Sequence, residues 1–341
     1  MNKQIYIFVL FFIVYQSLYS QSITIDTTMS PQVLVNNILL SGNQTVTNIQ
    51  FTGNPSAIGY FSGGASGVCP PSGIILSTGF VRDAKGPNNP QIEPSGQLQR
   101  SGDADLNTIA GAAMTFDATI LEFDFLAQNN LLQFQFVFAS DEYPEFVGMF
   151  NDVFAFFISG KNPDGGFYNK KNIAILPNTT IPITINNVND TTNNQFFINY
   201  IGGSNVAFDG LTVTINISEK LVAGTTYHFK IAIADFGDDV LDSAVFLKAG
   251  SFTTFTSIST DNVCLGEITN FSANFGNSVA NVLWNFGDGH TSTQLSPSHV
   301  YQQAGIYQIS VLITYLSGVS ETITKQIEIF EKPETPIIGV N

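Results

Sequence analysis

Leu121-Glu122-Phe123-Asp124-Phe125 sets three apolar side chains and two carboxylates on alternate positions, the period of a strand with one face buried and the other wet. The pattern recurs in Phe134-Gln135-Phe136-Val137-Phe138, in Leu211-Thr212-Val213-Thr214-Ile215-Asn216-Ile217 and in Tyr227-His228-Phe229-Lys230-Ile231-Ala232-Ile233. Val153-Phe154-Ala155-Phe156-Phe157-Ile158 is apolar throughout, which predicts a central strand covered on both faces. Turn-forming residues separate these runs at Gly63-Gly64, Asn162-Pro163-Asp164-Gly165-Gly166, Gly202-Gly203 and Ser317-Gly318. Many short strands with few helical stripes predict an all-β chain, an antiparallel β-sandwich. One short helix is expected from Asp103 to Ala113, with Asp103 capping its first turn.

The chain has 341 residues, enough for two domains with sizeable cores. Only 11% of residues are charged and 12% are aromatic, too apolar for a disordered chain. A net charge of −15 with no basic run argues against nucleic acid, which requires clustered Lys and Arg. Lys3 precedes an apolar run from Ile5 to about Tyr15, and small Ser20 follows; residues 1–20 read as a secretory signal peptide, since the run is too short for a spanning helix. The mature protein is therefore expected to be secreted or to sit on the outer cell surface, without an integral membrane segment. Export permits a disulfide between Cys69 and Cys264 without requiring one.

The most specific motif lies between Ser251 and Phe330. Trp284-Asn285-Phe286-Gly287-Asp288-Gly289 is followed by Ser296-Pro297-Ser298-His299-Val300-Tyr301 and then by Ala304-Gly305-Ile306-Tyr307-Gln308-Ile309-Ser310-Val311. Trp284 and Phe286 share one strand face, Gly287-Asp288-Gly289 forms a tight turn, and Tyr307 is placed like the tyrosine corner of immunoglobulin-like sandwiches. Asp288 and His299 read as turn and strand residues. This segment resembles a PKD domain, which implies an immunoglobulin-like β-sandwich used as a spacer or interaction module on exported proteins. Domains of this kind pair an early Cys with one near the last strand; Val319 stands where the second would be, which leaves Cys264 without that partner in its domain.

Upstream, Phe138-Ala139-Ser140-Asp141-Glu142-Tyr143-Pro144, Phe150-Asn151-Asp152-Val153-Phe154, Ile231-Ala232-Ile233-Ala234-Asp235 and Asp242-Ser243-Ala244-Val245-Phe246-Leu247 fall in order after Gly73-Ile74-Ile75-Leu76-Ser77-Thr78-Gly79 and Gly102-Asp103-Ala104-Asp105-Leu106. Together they resemble the choice-of-anchor L domain, a family of exported bacterial proteins, which implies a surface role and an association with type IX secretion. The expected organisation is a signal peptide (1–20), a choice-of-anchor L-like sandwich (33–252), a PKD-like domain (253–331) and a linker (332–341).

Carboxylates gather twice beside apolar strands: Asp141, Glu142, Glu145 and Asp152, then Asp235, Asp238, Asp239 and Asp242. If the sandwich joins these loops, the like charges need a cation, and Ca²⁺ takes six to eight such oxygens. Asp141, Glu142, Asp152, Asp235, Asp238 and Asp242 are the candidate calcium ligands. The alternative is that each acid faces water at a loop tip and keeps an acidic protein soluble. Asp103-Ala104-Asp105 opens like an EF-hand loop, but Thr108 stands where Gly belongs and Met114 where the bidentate Glu belongs, leaving a cap or a looser ion site. No activated nucleophile, zinc signature or phosphate loop is present, so a catalytic role is not expected. The readings are a structural or adhesion protein binding an extracellular protein or carbohydrate; a lectin using Tyr143, Tyr168 and Tyr200 as sugar platforms; and a glycoside hydrolase using two of the clustered acids.

Overall fold

A computed structural model describes residues 22–40, 44–89, 96–111, 114–255, 258–261, 263–273, 279–315 and 320–332. The expected signal peptide, the expected turn at Ser317-Gly318, Val319 and all of the expected linker except Lys332 lie outside these residues. In the first domain the strands are β1 (Thr24–Asp26), β2 (Thr45–Thr52), β3 (Ile58–Ser62), β4 (Ser72–Ser77), β5 (Phe116–Leu126), β6 (Leu131–Ser140), β7 (Val153–Lys161), β8 (Phe167–Asn172), β9 (Phe197–Asn199), β10 (Gly210–Thr212), β11 (Ile215–Lys220), β12 (Thr226–Asp235), β13 (Ser243–Lys248) and β14 (Thr253–Phe255). One sheet runs β1-β3-β4-β13-β6-β10-β9, with β11 and β14 also paired to β6; the other runs β2-β5-β12-β7-β8. All these pairings are antiparallel. The first sheet begins at β1, ahead of the boundary expected at Val33.

The alternating strands turn their aromatic positions inward, so the space between the sheets is filled by rings. Phe134 meets Phe156 with centroids 4.6 Å apart, Phe136 meets Phe154 at 5.0 Å, and Phe229 meets Phe252 at 5.2 Å. Such edge and tilted pairs add roughly 0.5–1.5 kcal/mol each beyond area burial. Val137, an odd-numbered break in the alternation of β6, is buried too. The far face of its sheet carries a second cluster in which Phe61, Ile75, Val137, Phe208, Leu211 and Phe246 pack together.

β7 is buried from Val153 to Ile158, as its unbroken apolar run requires. Its inner face joins the ring core, and its outer face lies under the helix Ala104–Ala110, where Leu106 packs on Val153, Ala155 and Phe157. Asp103 caps that helix, its carboxylate accepting from the N–H groups of Asp105 and Leu106 at 3.0 and 3.1 Å. The helix stops at Ala110, before the expected Ala113, because Gly111 takes the left-handed conformation with φ 69°. The run Leu211–Ile217 is not one strand: β10 pairs Leu211 with Ala139 and β11 pairs Ile215 with Phe136. Four residues on one side thus span three on the other, and Val213 leaves the ladder to donate to Phe196 O at 2.8 Å.

The second domain contains β15 (Ile258–Thr260), β16 (Ile268–Ala273), β17 (Val279–Asn285), β18 (Thr291–Ser292), β19 (Ser298–Val300), β20 (Gly305–Tyr315) and β21 (Ser320–Ile329). Sheet β15-β16-β19 faces sheet β18-β17-β20-β21 over Phe271, Trp284, Phe286, Tyr301, Ile309 and Val311, an immunoglobulin-like sandwich. Tyr307 Oη donates to Gln303 O at 2.8 Å, four residues upstream, the geometry of a tyrosine corner. Cys69 is buried in the first domain and Cys264 bridges to Phe330 in the second; they are not bonded to each other. Burial pushes the Cys69 thiol up to about 12, so it is inert at neutral pH.

Candidate functional site

The two acidic clusters are brought to one end of the first sandwich by strand register. β6 ends at Ser140 and runs into Asp141 and Glu142; β13 opens at Ser243 directly after Asp242, and Ser243 pairs with Ser140. On the other sheet Asp152 precedes β7 and Asp235 closes β12, where Ala234 pairs with Val153. Ser243 Oγ donates to Asp152 Oδ2 at 2.7 Å, which ties the two sheets together at this end.

These acids do not face water. Asp141, Glu142, Asp152, Asp235 and Asp242 are each no more than 2% exposed, which corrects the loop-tip reading for all five. Asp238 and Asp239 are half-buried, and Glu145 is exposed. Burial goes with loops that fold back so that the carboxylates accept main-chain N–H groups. Asp141 Oδ1 accepts from Asp209 N at 3.0 Å, Asp152 Oδ1 from Phe236 N at 3.0 Å, and both oxygens of Asp242 from Gly96 N at 3.0 and 2.9 Å. Asp238 does the same within its own turn, accepting from Val240 N at 3.1 Å. Close approach depends on Gly79, where a Cβ would stand 1.9 Å from Asp242 Oδ2.

Two further buried acids belong to this end. Asp117 accepts from Leu98 N and Arg100 N, and Asp209 accepts from Asn88 Nδ2. Each is a single acid set against a strand-like run, in Phe116-Asp117-Ala118 and Phe208-Asp209-Gly210. That isolation was the available signal; a search for clustered acids passes over it.

So much negative charge in a dry place shifts the proton equilibria. Burial lifts Asp152 to about 7, with Asp238 and Asp242 adding repulsion against the hydrogen bonds from Ser243 and Phe236. Burial, then the neighbouring Asp152, holds Asp235 well above the ordinary carboxylate range. Burial raises Asp242 to about 6 against the hydrogen bond from Gly96. Asp235 Oδ1 has no hydrogen-bond partner. Groups of this kind are neutralised either by protons or by a cation. The donors present are carboxylate oxygens, the hard ligands calcium takes. Among the described residues, however, a set of three ligating side chains with all ligand atoms within 4.8 Å occurs in the second domain and not here; ligation at this end requires the carboxylates to draw inward.

Elsewhere the candidate sites resolve into structural roles. Between Asp103 and Asp105 sits the ammonium of Lys230, 2.6 and 2.8 Å from their carboxylates; Lys170 adds a contact of 2.9 Å to Asp105. The looser ion site is therefore filled by a lysine of β12. Tyr143 is fully buried, its hydroxyl donating to Val188 O at 2.7 Å, and Tyr168 is 8% exposed. Neither offers a face to a sugar. Tyr200 is half-buried and its hydroxyl accepts from Asn205 N at 3.0 Å.

Two β-sandwich modules, one closed at an acidic end and one built on a buried Trp and a tyrosine corner, define the chain as an all-β protein of two sandwich domains. Residues 22–253 match the choice-of-anchor L domain and residues 255–330 match a PKD domain. The chain belongs to the choice-of-anchor L family. A microbial collagenase of Vibrio alginolyticus is 43% identical over 51 residues, 15% of this chain and 6% of the collagenase. Collagenase ColA of Bacillus cereus is 35% identical over 57 residues, 17% of this chain and 6% of that protein. The pre-pro-metalloprotease PrtV of Vibrio cholerae is 33% identical over 72 residues, 21% of this chain and 8% of PrtV. The chain thus spans only a small part of these relatives, within their PKD regions. Among solved structures, the PKD1 domain of Vibrio anguillarum Epp is 23% identical and covers 23% of this chain and 94% of that chain, with a TM-score of 0.21. The PKD1 domain of Vibrio cholerae PrtV is 24% identical, with 22% and 91% covered and a TM-score of 0.19. Among the described residues no helix is long and apolar enough to cross a membrane.

Proposed function

We propose that this chain is a secreted or cell-surface structural and adhesion protein in which a stiff, ring-filled sandwich is carried beside a PKD spacer, with the acidic end of the sandwich stabilised by calcium at neutral pH. The observation that carries the calcium reading is the burial of Asp152, Asp235 and Asp242 at one end, with an oxygen of Asp235 lacking any hydrogen bond. Once deprotonated, these groups repel in a dry site, and a divalent ion that holds Asp152 and Asp235, with Asp141, Glu142, Asp238 and Asp242 around them, removes that repulsion. The bound ion is structural: it locks the loops between strands and stiffens the surface offered to a partner. The burial of Tyr143 and Tyr168 favours an extracellular protein as that partner over a carbohydrate. By name the relatives are collagenases and a pre-pro-metalloprotease; we carry over the PKD module, not the proteolysis.

A ligand selective for the folded state raises stability by RT ln(1 + [L]/Kd). The test is thermal unfolding of the full chain at about pH 7.5 in millimolar calcium and in chelator, followed by far-ultraviolet circular dichroism. A higher first-domain midpoint in calcium is expected; equal midpoints remove the metal. A glycan array with and without chelator separates the partner classes, since metal-dependent glycan binding would replace the protein partner with a sugar.

A further inference from the structure

The turn of the second domain gathers three side chains that carry metal-ligating atoms. Gly287 and Gly289 take φ of 82° and 94°, and the tight loop between them presents Asp288 toward β19. There Asp288 Oδ2 lies 2.6 Å from His299 Nε2, and Asp288 Oδ1 lies 3.2 Å from His290 Nδ1. The three ligating atoms all fall within 4.8 Å of one another. We propose that Asp288, His290 and His299 form a binding site for a divalent first-row transition metal, of which Zn²⁺ is the representative ion.

The donor set selects the class of metal. Two imidazoles and one carboxylate suit zinc and its neighbours, whereas calcium and magnesium take oxygen ligands almost exclusively. Zinc binds such donors at about 2.0–2.2 Å, which puts adjacent ligand atoms of a tetrahedral site roughly 3.4 Å apart. Two of the present separations, 2.6 and 3.2 Å, lie below that value, and all three fall within 4.8 Å. Two of the ligands are already held in place. His299 stacks on Phe286 with ring centroids 4.4 Å apart and planes 3° from parallel, and Tyr301 packs edge-on at 4.8 Å. Asp288 is fixed by accepting the His290 N–H at 3.1 Å. His290 is different: its side chain is 69% exposed and is free to swing onto the ion. Three protein ligands leave a fourth position open to water or to a side chain from a partner. The chain's net charge of −15 draws cations toward it.

The exposure of His290 makes the site testable without unfolding the domain. Trp284 is the only tryptophan of the chain and is fully buried in the second-domain core, so its fluorescence reports that domain alone. In the full chain stripped of metal, titration calorimetry with zinc is expected to show one site that His290→Ala removes. Zinc at about a hundredfold excess over Kd should raise the Trp284 melting midpoint by roughly 10 °C. His290→Ala should abolish that rise and leave the metal-free midpoint within about 1 °C, because an exposed side chain contributes little. Cobalt should give the visible absorption of a tetrahedral site in the parent and not in the variant. Zinc binding that survives His290→Ala, at the acidic end of the first domain or elsewhere, overturns the proposal. So does a Trp284 midpoint indifferent to zinc, which would leave Asp288 and His299 as a structural hydrogen-bonded pair. Neither result bears on calcium at the first domain, which is read from the part of the circular-dichroism transition that Trp284 fluorescence does not follow.

Discussion

Replacing Asp152 by Asn removes one ionisable group from the acidic end while keeping its shape, and the outcome depends on pH with a definite sign. Asp152 is lifted from 3.8 to about 7 by burial, so the folded chain binds its proton more tightly than the unfolded chain does. Stability linked to this proton is fully present below about pH 4 and is lost as pH rises through 7. The same holds for Asp242, lost through its value of about 6. At about 1.4 kcal/mol per tenfold change in proton affinity, the Asp152 shift corresponds to about 4 kcal/mol. The two sites repel each other, so their contributions do not add. For a domain of this size about 4 kcal/mol moves a melting midpoint by roughly 10 °C. In chelator, the parent's first-domain midpoint is therefore expected to fall by roughly that much between about pH 4.5 and pH 8. Asp152→Asn should flatten that fall, melt higher than the parent at pH 8, and lose most of the calcium response. Asn can still accept from Phe236 N and donate to Ser243 Oγ, so both hydrogen bonds of the parent side chain survive. A parent midpoint constant between pH 5 and 8 in chelator would refute the reasoning, since it would mean the buried acids are not held protonated by their surroundings.

Lys230→Met should destabilise the first domain by about 3 kcal/mol, because Asp103 then faces β12 as a half-buried charge with its ion pair removed; denaturant unfolding measures it, and a loss below 1 kcal/mol would contradict the pairing. Gly79→Ala should lower the first-domain midpoint and diminish its pH dependence together, since the new methyl displaces the Asp242 carboxylate from Gly96 N. Tyr301→Phe should cost the second domain about 1–2 kcal/mol, the loss of a buried hydroxyl that donates to Phe286 O at 2.9 Å, read by Trp284 fluorescence with no change in the first domain.

Much of the fold was legible because alternation is local. Phe123, Phe125, Phe134 and Phe229 turn inward as their spacing demands, and the unbroken run from Val153 needs a cover that the helix after Asp103 supplies. The Trp284 and Tyr307 positions were legible for the same reason: a turn and its flanking strands lie within a few dozen residues. Val137 and the split at Val213 were not, because they depend on a second core and on a neighbouring strand's count of residues, both contributed from far along the chain.

The acidic residues mark the boundary between the two kinds of knowledge. That carboxylates flank the apolar strands near Asp141 and Asp235 is written in the chain, as are the all-β class and the two-module order. Their meeting at one end is decided by strand pairing, which sets Ser243 beside Ser140 and Ala234 beside Val153. Their burial is decided by loops that fold back to donate main-chain N–H groups. Burial, not the presence of an acid, turns a solvated carboxylate into one that must hold a proton or a cation, because the charge then has no water to solvate it. The gathering of Asp288, His290 and His299 has the same origin, since a turn and a strand eleven residues apart in sequence meet only when the sandwich closes.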